Sequence, residues 1–238
     1  MSLVSIIVPT FNRESTILRT LRSIENQSFK DFEVIIVDDC SSDNIQSKID
    51  SSSLKNLFLI KMTDHKGAQA ARNIGLRYSR GEKIIFLDSD DWWDRDFLKK
   101  MLYYMNIANK KAICCDGYLV DECSNTIKRL NILSGIRNIK AMVFLRSCVM
   151  FQGLLVDREC FEKIGPLDEN ILAFHNWDFI LNLMLNYEVF YLDDPLFYYV
   201  KHALPSITKN RDKREIGFYQ VVQKYGLKDI AYYEEDHI

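Results

Sequence analysis

Short apolar runs rich in β-branched residues alternate with helical patterns along the first half of the chain. The runs lie at residues 4–8, 34–37, 57–62 and 84–87. Apolar residues recur at helical spacing after the first run, an alanine-rich helical stretch begins at residue 68, and an amphipathic pattern covers residues 95–108. Strands that alternate with helices favour a mostly parallel, doubly wound sheet with helices on both faces. The chain is therefore predicted to have an α/β fold.

Acidic residues follow two of these predicted strands directly. The run at 84–87 leads into Asp88-Ser89-Asp90-Asp91, and the run at 34–37 leads into Asp38-Asp39. Open α/β sheets bind ligands at the carboxyl ends of their strands. Carboxylates at positions i and i+2 are hard oxygen ligands suited to Mg²⁺ or Mn²⁺, and such an ion would bridge a diphosphate. The alternative is that Asp90 or Asp91 caps the helix that begins near residue 94.

Composition excludes some classes of function. The 31 Lys and Arg residues against 33 Asp and Glu residues give a formal charge of −2, so no basic footprint for nucleic acid is expected. The six cysteines show no Cys-x-x-Cys spacing, which favours reduced thiols and a cytoplasmic location. No apolar run approaches the ~18 residues of a transmembrane span, and the start of the chain does not resemble a signal peptide.

The pattern is weaker after residue 112. We expect strands at 112–120, 153–156, 189–192 and 195–200, and helices at 136–145, 158–164, 176–186 and 213–224. Together with the first half these elements make one continuous domain with an appended C-terminal part.

Several motifs, taken in their order along the chain, resemble family 2 glycosyltransferases of the GT-A fold, the nucleotide-diphospho-sugar transferase fold. The matching stretches are residues 8–13, 23–43, 71–75, 81–91 and 161–168. The resemblance implies that residues 1–112 form the half that binds the nucleotide-sugar donor. Residues 113–238 would then form the acceptor-side half with a C-terminal helical extension.

The resemblance also implies a reaction and its partners. A sugar would be transferred with inversion from a nucleotide-diphosphate donor, expected to be UDP-linked, to a hydroxyl group of a glycan or lipid-linked glycan. The process would be bacterial surface polysaccharide or glycan synthesis, with Mn²⁺ or Mg²⁺ as the cofactor. The enzyme would be cytoplasmic, with peripheral association at the inner face of the membrane as the alternative location.

The matching motifs imply particular site residues. Asp90 and Asp88 would hold the metal, Asp39 would accept a hydrogen bond from a base N–H, and Phe11 would lie against the base. The implied nucleotide-binding residues are Pro9, Thr10, Phe11, Arg13, Asp39, Lys66, Gly67, Arg72, Asp88, Ser89 and His202. Each also has a simpler interpretation as a strand-end turn, a helix cap or a solvated side chain.

One departure from the family concerns catalysis. The family has a Glu-Asp pair whose Asp deprotonates the acceptor hydroxyl, and the matching residues here are His175 and Asn176. An Asn side chain cannot hold that proton at neutral pH. His175 and Asp178, at i and i+3, could both face the site, and a His with a pKa of about 6.5 can act as a base. His175 is the preferred candidate because it takes the family's Glu position beside the catalytic one, whereas the residue matching Asp178 usually supports the helix. Alternatively, Asn176 caps the helix and Asp178 favours its first turn.

Two other functions compete with a glycosyltransferase. A non-catalytic nucleotide-sugar-binding homologue could have kept the donor site and lost the base at Asn176. A nucleotidyltransferase would carry a Gly-rich loop with Arg and Lys after the first strand, and Pro9-Thr10-Phe11-Asn12 is not such a loop.

Overall fold

The computed structural model describes residues 4–133, 149–201 and 210–227. The strands are β1 (Val4–Thr10), β2 (Phe32–Asp38), β3 (Leu57–Lys61), β4 (Lys83–Phe86), β5 (Trp92–Trp93), β6 (Ala112–Asp121), β7 (Thr126–Arg129), β8 (Leu154–Asp157) and β9 (Val189–Lys201). The helices are α1 (Ile17–Glu25), α2 (Ile45–Asp50), α3 (Ala68–Tyr78), α4 (Phe97–Ile107), α5 (Arg158–Ile164), α6 (His175–Asn186) and α7 (Arg211–Tyr225), with a short 3₁₀ turn at Phe151–Gly153.

The first half forms the predicted parallel sheet. Strand β1 pairs in parallel with β2 and β4, and β2 pairs in parallel with β3, which gives the order β3-β2-β1-β4. All seven residues of β1 and of β2 are buried, as expected for strands covered on both faces. The predicted α/β architecture is confirmed.

The second half extends the same sheet with strands of mixed direction. Strand β8 pairs antiparallel with β4, β6 pairs antiparallel with β8, and β9 pairs in parallel with β6. Strand β5 pairs antiparallel with β9, and β7 with β6, so one nine-stranded sheet runs through both halves. The sequence did not reveal these directions, because pairing direction is set by partners far away along the chain.

Two sequence predictions for the second half need comment. The separate strands expected at 189–192 and 195–200 are a single strand, β9, whose pairing with β6 shifts register around Asp116. The strand is continuous across Pro195 despite this shift in pairing. The helix expected at 136–145 lies outside the described residues.

Close packing of α3 on β1 fixes the position of that helix relative to the sheet. A Cβ atom at Gly75 would lie 2.3 Å from Ile7 Cγ2, a distance that packed atoms do not adopt. The glycine therefore allows the helix backbone to approach the strand directly. This approach holds the first turns of α3 at the carboxyl edge of the sheet.

Helix α7 packs against α6 and covers its outer side. The Phe218 ring stacks on Trp177 at 5.4 Å between centroids, and both side chains are fully buried. The Tyr225 hydroxyl donates to Asp178 Oδ1 at 3.0 Å. Across the ranges that the structure describes, no helix has the length and apolar character needed to cross a bilayer.

Candidate active site

The carboxyl ends of β2, β1 and β4 meet at one edge of the sheet. Thr10 at the end of β1 is paired with Asp38 at the end of β2, and Ile7 is paired with Phe86 at the end of β4. The residues that follow each strand therefore emerge side by side. This edge brings together the acidic residues that the sequence places after two separate strands.

Asp39 lies at this edge against two backbone amides. Its side chain is buried, and its two carboxylate oxygens accept hydrogen bonds from the amides of Lys66 at 2.8 Å and Gly67 at 2.7 Å. Gly67 has φ of +94°, in the region that favours glycine, and this conformation aims its amide at Asp39. The Lys66 contact is made by its backbone, which the sequence did not predict.

Phe11 and His65 cover the outer side of Asp39. Their rings stack at 4.0 Å between centroids with an interplanar angle of 25°. His65 Nδ1 also lies 2.8 Å from Asp39 Oδ2. Sequence reasoning did not select His65, although its position in the loop beside Lys66 and Gly67 was a usable signal.

Two arginines lie against the carboxylates that follow β4. Arg13 Nε is 3.2 Å from Asp90 Oδ2, and the Arg72 guanidinium donates to Asp88 Oδ1. The Arg72 guanidinium also lies 4.7 Å above the Phe151 ring. Arginine charges therefore balance the two carboxylates.

Asp91 points away from this edge into the protein. It is buried, and Oδ1 accepts a hydrogen bond from the Val200 amide at 2.8 Å. Burial, with the nearby charges of Asp90 and Asp88, raises the pKa of Asp91 well above its ordinary value. Asp91 therefore joins the acidic loop, residues 88–91, to the end of β9.

Asp88 and Asp90 fit a divalent cation of the hard type. Among the described residues no group of three or more His, Cys, Asp or Glu side chains forms a complete metal cage. Mg²⁺ and Mn²⁺ sites with one or two carboxylates are completed by phosphate oxygens and water, so this donor set suits an ion that binds together with a diphosphate. The ion would compete with Arg13 for Asp90.

A polar face of α3 holds the loop that leads into α6. Asn73 Nδ2 donates to the Leu167 carbonyl at 2.9 Å and to Glu169 Oε1 at 2.8 Å, and Gln69 Nε2 donates to the Ile171 carbonyl at 2.9 Å. These residues are spaced at i and i+4, so they lie on one side of the helix. The contacts fix the start of α6 beside α3.

His175, the first residue of α6, lies in this junction. Its pKa is lowered to about 3, first by burial and then by the positive charge of Arg72, while backbone hydrogen bonds at Ile171 and Leu172 oppose the shift. The imidazole is therefore neutral at neutral pH and holds a proton weakly. These properties weigh against His175 as a general base.

The side chains of Asn176 and Asp178 contact different parts of the protein. Asn176 Nδ2 donates to the Val149 carbonyl at 2.7 Å. Asp178 is buried against α7, where its Oδ1 is 2.8 Å from Lys224 Nζ. The structure does not bring the Asp178 carboxylate together with His175, because Asp178 is directed toward Lys224 on α7.

Of the remaining predicted residues, Pro9, Thr10 and Ser89 lie at or near the same edge. Pro9 and Thr10 end β1, and the Thr10 carbonyl accepts a hydrogen bond from the Asp39 amide at 2.9 Å. The Ser89 carbonyl accepts from Thr16 Oγ1 at 3.0 Å, which ties the acidic loop to α1. His202 lies outside the described residues.

Arg19 is a further residue that the sequence did not select. Its guanidinium donates to the Asp90 carbonyl at 3.0 Å and lies 4.3 Å above the Trp92 ring. It supports the acidic loop from α1. A lone Arg on an amphipathic helix carries no sequence signal for this role.

Comparison with known proteins identifies the family. The sequence model of the family "Glycosyl transferase family 2" matches residues 5–165. This range includes β2, β4, the acidic loop and all of β1 except Val4. The chain belongs to glycosyltransferase family 2. The predicted family is thereby confirmed.

Curated relatives of this family 2 chain include two from Escherichia coli. The UDP-Glc:alpha-D-GlcNAc-diphosphoundecaprenol beta-1,3-glucosyltransferase WfaP is 29% identical over 231 residues, which cover 96% of this chain and 88% of WfaP. WfgD, whose name gives the same activity, is 40% identical over 103 residues, which cover 43% of this chain and 41% of WfgD. These relatives act in glycan synthesis.

Solved structures share the fold. TarS 1-349 of S. aureus in complex with UDP-GlcNAc matches with a TM-score of 0.79 at 22% identity, covering 97% of this chain and 68% of TarS. The mannosyltransferase PcManGT of Pyrobaculum calidifontis in complex with GDP-Man and Mn²⁺ matches with a TM-score of 0.72 at 22% identity, covering 97% of this chain and 66% of that protein. The family 2 chain therefore has the GT-A fold.

Proposed function

We propose that this family 2 member transfers a sugar, with inversion, from a UDP-sugar to a hydroxyl group of a lipid-linked glycan in bacterial polysaccharide synthesis. The observation that carries the proposal is the meeting of Asp39, Asp88 and Asp90 at one sheet edge, beside the exposed ring of Phe11. Residues 1–112 are assigned to the donor and residues 113–238 to the acceptor. WfaP and TarS, whose names and structure titles include UDP-sugars, support this donor class.

Each part of the donor has a partner of suitable chemistry at this edge. Phe11 offers a ring face to the base, and Asp39 offers a carboxylate to a base N–H. Arg13 and Arg72 would contact the diphosphate once a cation takes their place on Asp90 and Asp88. A bound Mn²⁺ or Mg²⁺ would stabilise the charge that develops on the departing nucleoside diphosphate.

The acceptor class follows from the relatives. WfaP and WfgD are named for a diphosphoundecaprenol-linked acceptor, so a lipid-linked acceptor and association with the inner face of the membrane are proposed for this chain as well. A cytoplasmic location follows from the same proposal, because a nucleotide sugar is the donor.

The second candidate function is a donor-binding homologue without transferase activity. By the resemblance, Asn176 takes the position of the family's base, and His175 is a weak base because its pKa is lowered to about 3. Asp178 is directed to Lys224 and α7 rather than to the donor edge. These three observations favour a chain that binds the donor without activating an acceptor hydroxyl.

Calorimetry with a panel of nucleotide sugars and Mn²⁺ tests the proposal. We expect UDP-sugars to bind, and we expect Asp90→Ala to lose the part of the affinity that depends on Mn²⁺. Asp64→Asn, on an exposed loop, serves as the control variant. Equal affinity of wild type and Asp90→Ala in the presence of Mn²⁺ would exclude the metal role. Donor hydrolysis measured on the same samples separates the two candidate functions.

A further inference from the structure

We propose that the imidazole of His65 occupies the site of the donor's nucleobase. The nucleobase must displace this imidazole in order to bind. The imidazole contacts both groups that the proposed function assigns to the base, the ring of Phe11 and the carboxylate of Asp39. The inference rests on that assignment and adds a determinant of donor affinity and base selectivity.

The stacking contact has the geometry of a bound base. The His65 and Phe11 rings lie 4.0 Å apart at 25°, close to a parallel stack. Aromatic pairs can also pack edge to face, so the near-parallel geometry of this pair is one of several that the two rings could adopt. A base on the same face of Phe11 would occupy the volume that the imidazole fills.

The contact of His65 Nδ1 with Asp39 occupies the carboxylate oxygen Oδ2. Asp39 Oδ2 accepts from the Gly67 amide at 2.7 Å and lies 2.8 Å from His65 Nδ1. An ionised carboxylate oxygen accepts about two hydrogen bonds in good geometry, so these two contacts fill Oδ2. A base N–H directed at this oxygen must therefore take the place of the imidazole N–H.

The imidazole can leave without unfolding the loop. The His65 side chain is 54% exposed, whereas the Asp39 side chain is 3% exposed. The backbone amides of Lys66 and Gly67 hold the loop on Asp39 independently of the His65 ring. Rotation of the side chain alone would uncover Phe11 and Oδ2.

This competition predicts selectivity for particular bases. Uracil and guanine carry a ring N–H that can replace the imidazole N–H on Asp39, and adenine and cytosine do not. Adenine and cytosine offer an exocyclic amine as the donor instead, beside a ring nitrogen whose lone pair the carboxylate repels, so we expect uracil and guanine to recover the broken hydrogen bond better. The apparent affinity for any nucleobase falls as the fraction of molecules in which the imidazole occupies the site rises.

Calorimetric titration of UDP in the presence of Mn²⁺ tests the proposal. His65→Ala removes the competing ring, and we expect it to bind UDP about 5- to 20-fold more tightly than wild type, the effect of one lost competing hydrogen bond. Asp64→Asn, in the same loop, keeps an acceptor for the Thr63 hydroxyl and should bind like wild type. Unchanged or weaker binding by His65→Ala would overturn the proposal.

A second measurement uses the wild-type chain and does not depend on the variant. Nuclear Overhauser contacts between the His65 and Phe11 rings should be present in the free protein and lost on addition of UDP. Contacts that persist at saturating UDP would contradict displacement, even if UDP binds. If neither wild type nor His65→Ala binds UDP, the assignment of the base site itself fails.

Discussion

Replacing Asn176 by Asp introduces the acid that the family resemblance implies for this position, and the structure predicts the resulting loss of stability. Asn176 Nδ2 donates to the Val149 carbonyl at 2.7 Å. An ionised Asp only accepts hydrogen bonds, so in Asn176→Asp an oxygen would face the carbonyl oxygen. The side chain would have to rotate away, and the buried residue Val149 would lose the partner of its carbonyl.

The expected loss of stability follows from the single hydrogen bond between Asn176 and the Val149 carbonyl. A buried carbonyl left without its partner costs about 1–3 kcal/mol in the free energy of unfolding. For a chain of this size each kcal/mol corresponds to a Tm change of about 2–4 °C, so Asn176→Asp should lower Tm by about 2–12 °C. Asn176→Ala loses the same bond without adding a charge, and it should therefore lie between wild type and Asn176→Asp.

Thermal unfolding and turnover of UDP-sugar should be measured on the same three proteins. A gain in turnover by Asn176→Asp, despite its lower Tm, would favour a donor-binding protein that has lost its base, because general-base assistance is worth about 10²–10⁴ in rate. No gain would favour an enzyme that uses another base. A Tm of Asn176→Asp equal to that of wild type would refute the role given to the bond with Val149.

Three further predictions concern packing and pH. Burial and Arg72 lower the pKa of His175 from 6.5 to about 3, so between these values the unfolded chain binds a proton that the folded chain does not, and stability falls as the pH is lowered through this window. His175→Gln should show a smaller loss of stability than wild type when unfolding is compared at about pH 7 and about pH 4.5. Gly75→Ala should destabilise the fold by about 1–3 kcal/mol in denaturant titrations, because its Cβ would meet Ile7 at 2.3 Å, and an unchanged midpoint would argue against this packing. Asp178→Asn should lower stability by about 1–3 kcal/mol through its weakened contact with Lys224. UDP affinity should not change in Asp178→Asn, and a large loss of affinity would instead place Asp178 in the donor site.

The sequence predicted those parts of the fold that depend on local periodicity. The apolar runs gave the buried strands β1, β2 and β4, and the helical spacing gave α1 and α4. These signals are local because a strand or helix that packs on a core repeats its apolar residues with the period of its own backbone. The order of motifs was specific enough to predict the family, which the match over residues 5–165 confirms.

The chemistry of the residues near α6 could not be read from the sequence. Asp178 and His175 are three residues apart, yet Asp178 contacts Lys224 on α7 whereas His175 lies partly buried near Arg72. Helical spacing shows which residues share a face, but the neighbours that the face meets come from distant parts of the chain. Those neighbours determine both the hydrogen bonds and the direction of a pKa shift.

The sheet edge that carries Asp39, Asp88 and Asp90 shows the same division between sequence and tertiary structure. The sequence placed Asp39, Asp88 and Asp90 after their strands, because a carboxylate that directly follows a buried run must emerge where the strand ends. Only the fold brought His65 onto Asp39 and Arg13 onto Asp90, pairs separated by 26 and 77 positions. Contacts between groups so far apart depend on how strands pair and helices pack, and this long-range arrangement is not written in any local pattern of the sequence.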